Sequence, residues 1–193
     1  MKKIILAFAL LFTLSVQAQS DYIDGSVHVY GGYTNNLMGS SQYMTSFESP
    51  AFIGGAGLNI EFSVNEWFSW YIGADIELCA FKGGMEAGIL PNIGTYFGYP
   101  NKPYVFLSLY PRFDVVGIGS QQYGDYLCVW TELDMGVGYE HHISGPHNIY
   151  GEIGVGFEMM LYQAEELRLN NPQEHNEVPL YLMVGYRYYI SAE

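Results

Sequence analysis

Val178-Pro-Leu-Tyr-Leu-Met-Val-Gly-Tyr-Arg-Tyr-Tyr-Ile190 decides the fold. Taken two residues at a time, Val178, Leu180, Leu182, Val184, Tyr186, Tyr188 and Ile190 share one face. Pro179, Tyr181, Met183, Gly185, Arg187 and Tyr189 share the other. Successive strand side chains point to opposite faces, so this is an apolar face backed by a mixed one. Strands of soluble proteins usually run about 3–10 residues. A transmembrane barrel strand takes about 9–11 tilted residues, apolar outward and mixed inward. The aromatic cluster at the end stands where an interfacial girdle would lie.

Working outward, the same alternation recurs seven times. Expected strands cover residues 25–34, 51–64, 67–81, 85–98, 104–117, 126–140 and 149–162, with 178–190 as the eighth. Pro91 and Pro111 predict local breaks in the fourth and fifth, because proline removes a ladder donor. Connections after the second, fourth and sixth strands are short turns, the last being His141 to Asn148 with Gly145-Pro146. Those after the first, fifth and seventh are longer and polar, notably 34–50 and 163–177. Lys82-Gly83-Gly84, after the third, is short and departs from the rhythm. Phe62, Phe68, Trp70, Phe97, Tyr139, Tyr186 and Tyr188 fall on outward faces near the short-turn end, an aromatic girdle. The fold class read from this is all-β: an eight-stranded antiparallel up-and-down transmembrane β-barrel. Only a closed sheet leaves no edge in lipid, so the last strand is expected to pair with the first. A secreted β-sandwich is the rival, but its core gives no reason to collect aromatics at one end.

The remaining chain supports export. Lys2 and Lys3, the apolar run Ile4 to Leu14 and Val16-Gln17-Ala18 form a signal-peptide pattern with cleavage after Ala18. The expected division is thus a leader over 1–18 and a barrel domain over 19–193. Beyond the leader, no apolar stretch reaches the roughly 18 residues of a spanning helix. Removing Lys2 and Lys3 takes the formal charge from −13 to −15, with 5 basic against 20 acidic residues. That excludes nucleic acid, whose phosphates need basic patches. It also argues against docking on an anionic membrane surface. Cys79 and Cys128 would point inward from non-adjacent strands, farther apart than a disulfide tolerates.

The Ala18-Gln19 cleavage region, the strand-and-turn rhythm and the ending Gly185-Tyr186-Arg187-Tyr188-Tyr189 resemble small eight-stranded outer-membrane barrels. The resemblance is to the OmpA/OmpX type, particularly the PorT-like barrels of Bacteroidetes, and covers about 25–190. It implies location in the cell outer membrane, termini in the periplasm, and outer-membrane lipid and the barrel-insertion machinery as partners. Such chains usually end on an aromatic residue, whereas Ser191-Ala192-Glu193 follows Ile190 here.

Chemistry, if any, belongs to the inward face. It carries His28, Glu61, Asp75, Glu77, Glu86, Arg112, Asp114, Glu132, Asp134, Glu140, Glu152, Glu158 and Arg187. An interior of eight strands is just wide enough for side chains to fill. Carboxylates in this excess repel at low dielectric unless paired, protonated or solvated. Two tiers are expected. Arg187 meets Glu152 on the neighbouring strand, with His28 and Glu61 at the same depth. Arg112 meets Glu132, with Asp75, Glu77 and Glu158 nearby. The reading is a structural ion network filling the lumen, with a narrow cation path as its alternative. His142-Ile143-Ser144 has the spacing of a His-x-Ser pair, but beside Gly145-Pro146 it reads as turn chemistry, not as a nucleophile and base. His141-His142 lacks a third ligand, so no metal and no cofactor are expected. The expected function is structural or surface interaction without catalysis, with an unknown extracellular partner reached through loops 34–50 and 163–177. A small acidic cation pore is the alternative, and a lipid-modifying enzyme a more distant one.

Overall fold

The structure, a computed structural model, describes residues 23–39, 51–81, 84–98, 103–118, 126–163 and 176–191. The expected leader, most of loops 34–50 and 163–177, and Ala192-Glu193 lie outside them. Eight strands follow one another: β1 Ile23–Gly39, β2 Ala51–Asn65, β3 Phe68–Phe81, β4 Gly84–Phe97, β5 Pro103–Ile118, β6 Tyr126–Ser144, β7 His147–Gln163 and β8 Asn176–Ser191. Each pairs with the next and β8 returns to β1, closing an antiparallel barrel. The two-residue period drives this arrangement. Along β4, Glu86, Gly88, Leu90, Asn92, Gly94 and Tyr96 are buried, while Met85, Ile89, Pro91, Ile93 and Phe97 are exposed. Isoleucine, valine and leucine therefore form the exposed outer surface, as with Leu58, Ile76 and Val105. Among the described residues no helix is long and apolar enough to cross a membrane.

Several strands exceed their expected bounds. β1 continues to Gly39 because Asn35, Asn36, Met38 and Gly39 keep pairing with β8. The stretch mixes asparagine, methionine and glycine without alternation, which hides the strand, since rim residues need not alternate in hydropathy. β6 runs to Ser144 and β7 begins at His147, so the expected turn over His141–Asn148 shrinks to Gly145-Pro146. Gly145 takes φ 54°, a left-handed conformation that glycine adopts without Cβ strain. Ser191 does not trail the last strand: it pairs with Asp24.

The connections after β2, β4 and β6 share one rim. Asn65 Oδ1 accepts from the backbone N–H of Trp67 at 2.8 Å, an asparagine turn of the usual kind. Gly98, at φ 97°, donates its N–H to the Trp67 carbonyl at 2.8 Å. Tyr189 donates to the Pro146 carbonyl at 3.0 Å. Adjacent turns are thus laced together where the described chain starts and ends.

The prolines interrupt single seams, not whole strands. Pro91 stays in register with Ala74 on β3, and Pro111 with Thr131 on β6. Between β4 and β5 the ladder stops at Ile89–Phe113 and resumes at Ile93–Leu109. The spacing is equal on both strands, so Pro91 stands opposite Pro111. A strand residue directs its N–H toward one neighbour only. With β3 and β6 fully paired, both absent donors face the β4–β5 seam, where two ladder bonds cannot form.

Candidate functional site

The lumen is packed by aromatic rings seated on glycines. In register, Tyr30 faces Gly55, Tyr71 faces Gly94, Tyr104 faces Gly138, Phe106 faces Gly136, Tyr150 faces Gly185 and Tyr181 faces Gly154. A Cβ on Gly55, Gly94, Gly138 or Gly185 would come within about 2.5 Å of the facing tyrosine ring. The missing side chain is therefore what lets each ring lie across the wall. Tyr71, Tyr96, Tyr104, Phe106 and Tyr181 form the buried cluster. Tyr71 stacks on Tyr96 at 4.7 Å, and Tyr96 meets Tyr104 edge-on at 5.3 Å, geometries favoured by aromatic quadrupoles. Their hydroxyls find partners: Tyr104 donates to Glu152 Oε1 at 2.6 Å, and Tyr71 bonds Ser108.

Toward the long-loop rim, Arg112 gathers carboxylates from four strands besides its own. Its Nη1 donates to Glu132 Oε2 at 2.9 Å and lies 3.7 Å from Glu158 Oε1. Its Nη2 donates to Glu77 Oε1 at 3.0 Å and lies 3.6 Å from Glu86 Oε1. Its Nε donates to Asp114 Oδ2 at 3.3 Å. Only arginine offers such a fork of fixed donors. Tyr30 donates to the other Glu77 oxygen at 2.9 Å. Glu86 and Asp114, both buried, also hydrogen-bond each other side chain to side chain. A cavity of about 100 Å³ opens among these side chains and reaches the aromatic cluster.

Toward the short-turn rim, Arg187 donates through Nη1 to Glu140 Oε2 at 2.7 Å and through Nη2 to Tyr96 at 3.4 Å. Its guanidinium lies 4.7 Å from the Tyr150 ring centre, inside cation–π range. Between the two arginines, His28 Nε2 is 2.9 Å from Asp75 Oδ1, and Asn92 donates to Asp75 Oδ2 at 3.1 Å.

This placement keeps His28 at the depth of Arg187, directly across the β1–β8 ladder as expected, and otherwise differs from the expected tiers. The register sets Arg187 across from Asn148, and Glu152 across from Met183, so the expected Arg187–Glu152 neighbours are separated along the strands. That register depends on the connection between β7 and β8, which no residue pattern constrains. Asp75 joins His28 instead of the Arg112 group. Arg112 contacts Glu132, Glu77 and Glu158 together with Glu86 and Asp114, to which no tier had been assigned. Glu61 is buried opposite Asp24 and Tyr71. The ring-on-glycine packing was missed altogether. Its signal was the repeated glycine on inward positions beside an inward tyrosine.

The outward aromatics stand near the short turns. Phe62 stacks on Trp70 at 4.1 Å across the β2–β3 ladder, and Phe68 meets Phe97 at 5.1 Å across the β3–β4 ladder. Tyr139 faces Pro103. His147 bonds the Tyr186 hydroxyl and meets the Tyr188 ring edge-on at 5.3 Å. His142 and Ser144 lie at the end of β6, not in a turn, and His142 Nδ1 is 3.1 Å from Asn148 Oδ1. Cys79 and Cys128 are buried and unbridged. Among the described residues no three histidine, cysteine or acidic side chains converge to hold a metal ion.

Closed antiparallel pairing, an apolar exterior and a polar, filled interior define an eight-stranded β-barrel of the kind found in bacterial outer membranes. Among solved structures, Neisserial surface protein A is similar, at 13% identity over 85% of this chain and 96% of that one, with a TM-score of 0.50. The N-terminal barrel domain of Pseudomonas aeruginosa OprF matches at 14% identity over 84% and 97%, with a TM-score of 0.47. Outer membrane protein AlkL matches at 8% over 90% and 94%, with a TM-score of 0.46. At such identities the likeness concerns the fold alone. No protein-family model matches the chain, and no curated protein sequence does.

Proposed function

We propose that this chain is a non-catalytic outer-membrane barrel with a structural or surface-interaction role. The observation that carries this reading is the lumen: ring-on-glycine packing and the Arg112 and Arg187 ion groups occupy the interior of a closed wall whose outside is apolar. In lipid, a closed sheet satisfies its backbone internally. The outward aromatics suit one membrane interface. Both ends of the described chain and the laced short turns share a rim, which we assign to the periplasm. Segments 34–50 and 163–177 then face outward as the surface for a partner. The wider naming as an OmpA/OmpX-type or PorT-like barrel rests on the resemblance in sequence rhythm.

The test is outer-membrane fractionation followed by heat-modifiable gel migration and planar-bilayer recording. The expected result is an outer-membrane chain with a boiling-dependent shift and no steady conductance. A chain that stays soluble after leader removal overturns the barrel role. The surplus of carboxylates around Arg112 favours one second reading, a narrow cation pore. Stable cation-selective current would establish it.

A further inference from the structure

A second seam is also broken by proline. Between β7 and β8 the ladder stops at Val155–Leu180 and resumes at Glu158–Glu177, an equal spacing on both strands with Pro179 inside it. Pro179 stays in register with Asn36 on β1, so its absent donor faces β7. Together with the break where Pro91 faces Pro111, this leaves β5, β6 and β7 bounded on both sides by seams that lack ladder bonds. The remaining ladders carry single-residue shifts at most. Inside the bounds, β5 and β6 pair without a shift from Pro103–Tyr139 to Val116–Tyr126. β6 and β7 pair from Cys128–Gln163 to Ser144–His147, with a shift near each end. Beyond the breaks, toward the long-loop rim, little ladder remains. It runs from Ile89–Phe113 to Met85–Ile118 on one side, and through Glu158–Glu177 and Met159–Asn176 on the other.

We infer that β5, β6 and β7 form one moving panel, hinged at the short-turn rim and swinging at the long-loop rim. Both edges of the panel are held at the hinge end. There the chain passes directly from Phe97 of β4 to Pro103 of β5 within a short connection. The bond from the Tyr189 N–H to the Pro146 carbonyl and the Arg187–Glu140 pair tie the β6–β7 hairpin to β8. Toward the other end, side chains span the seams where ladder bonds are missing. Arg112 on β5 donates to Glu77 on β3 at 3.0 Å and lies 3.6 Å from Glu86 on β4. Glu86 hydrogen-bonds Asp114 across β4–β5, and Tyr181 on β8 hydrogen-bonds Asp134 on β6. These contacts latch the panel shut. In lipid nothing replaces a lost ladder bond, so a membrane wall parts first where its ladders are already interrupted. The cavity lies behind both breaks, lined there by Leu90, Tyr110 and Pro179, so a swing of the panel widens it.

Hydrogen exchange of the folded barrel in lipid nanodiscs, read residue by residue by NMR, tests the panel. Heat-modifiable migration of each sample first establishes that the barrel is folded. Alternation along the strands sends the Ile89 and Ile93 N–H groups to β5, those of Leu109 and Phe113 to β4, and those of Gly154 and Tyr181 across β7–β8. Leu90 and Asn92 direct theirs to β3, whose ladder with β4 is unbroken, and serve as controls on the same strand. The edge amides are expected to exchange at least about tenfold faster than the controls. Their protection factors should agree within about threefold, as one cooperative opening requires. Equal protection of edge and control amides overturns the weak seams. Pro179→Ala restores the donor at β7–β8 and should slow exchange at Ile93 and Leu109, on the far seam, at least about threefold. No change there means two independent frays and overturns the panel. Tyr181→Phe removes the tie to Asp134 and should speed exchange at every edge amide while leaving Leu90 and Asn92 unchanged. A rise that includes the controls equally is a general loss of stability and overturns the latch.

Discussion

Tyr104 on β5 lies directly across from Gly138 on β6, and its ring fills the space that a side chain there would need. A Cβ on Gly138 would meet Tyr104 Cζ at 2.4 Å. Gly138→Val should therefore destabilise the barrel by about 1–3 kcal/mol, the usual cost of overpacking. Gly151 is the control, because a Cβ there meets nothing nearer than the Met183 carbonyl at 3.7 Å. Gly151→Ala should stay within about 0.5 kcal/mol. Urea titration in lipid vesicles, followed by heat-modifiable migration, compares the two.

Removing Arg112 leaves its carboxylates facing one another. Arg112→Gln should lower stability by about 3–5 kcal/mol, as for other buried pairs that lose one partner. Arg112→Lys should recover only part of this, since one ammonium cannot reproduce three differently directed donors. Urea midpoints of the folded barrels give the comparison. An unchanged midpoint in Arg112→Gln would show that the ion group does not hold the lumen together.

Arg187 combines an ion pair with ring contacts. Lysine keeps the charge toward Glu140 but loses the planar stacking on Tyr150 at 4.7 Å. Arg187→Lys should cost about 1–2 kcal/mol, and Tyr150→Leu should remove most of the difference between arginine and lysine. A double-mutant cycle on unfolding midpoints isolates that coupling.

The two left-handed glycines should behave differently. Gly145, at φ 54°, has open space around a built Cβ, so Gly145→Asn should change stability by less than about 0.5 kcal/mol. Gly98 sits at φ 97°, and a Cβ there would meet the Pro103 carbonyl at 2.8 Å. Gly98→Asn should cost about 1–3 kcal/mol. Refolding yield and urea midpoints in the same vesicles check both.

Cys79 and Cys128 are 4% and 0% exposed. Maleimide should leave both unlabelled in the folded barrel and label both after boiling, as read by intact mass. Labelling of the folded state would mean that the lumen opens to water on the timescale of the reaction.

Much of the architecture was written in alternation. Val178 to Ile190 and the β4 run both show their inward and outward faces directly, because membrane strands expose one face to an apolar medium. Strand ends were harder to read. Asn35 and Asn36 at one rim, and His141 and His142 at the other, pair without alternating, since water and lipid no longer sort them. The lumen was legible in composition and not in contacts. Arg112 was visible as an inward cation, but its company of Glu86 and Asp114 depends on stagger around the barrel. So does the seating of Tyr104 on Gly138. Pro91 and Pro111 each signalled a fault, yet their meeting on one seam appears only when the strands are set side by side.

Asp24 pairs with Ser191, so the first and last strands lie together along most of their length. The cylinder therefore has no privileged first strand; its chain order is a choice of where to cut. Joining Ser191 to Ile23 by a short linker and opening the chain between Gly145 and Pro146 would give the same wall in a new order. For such a permutant, β6 and β7 would become the terminal strands, and closure of the barrel would rest on a different pair.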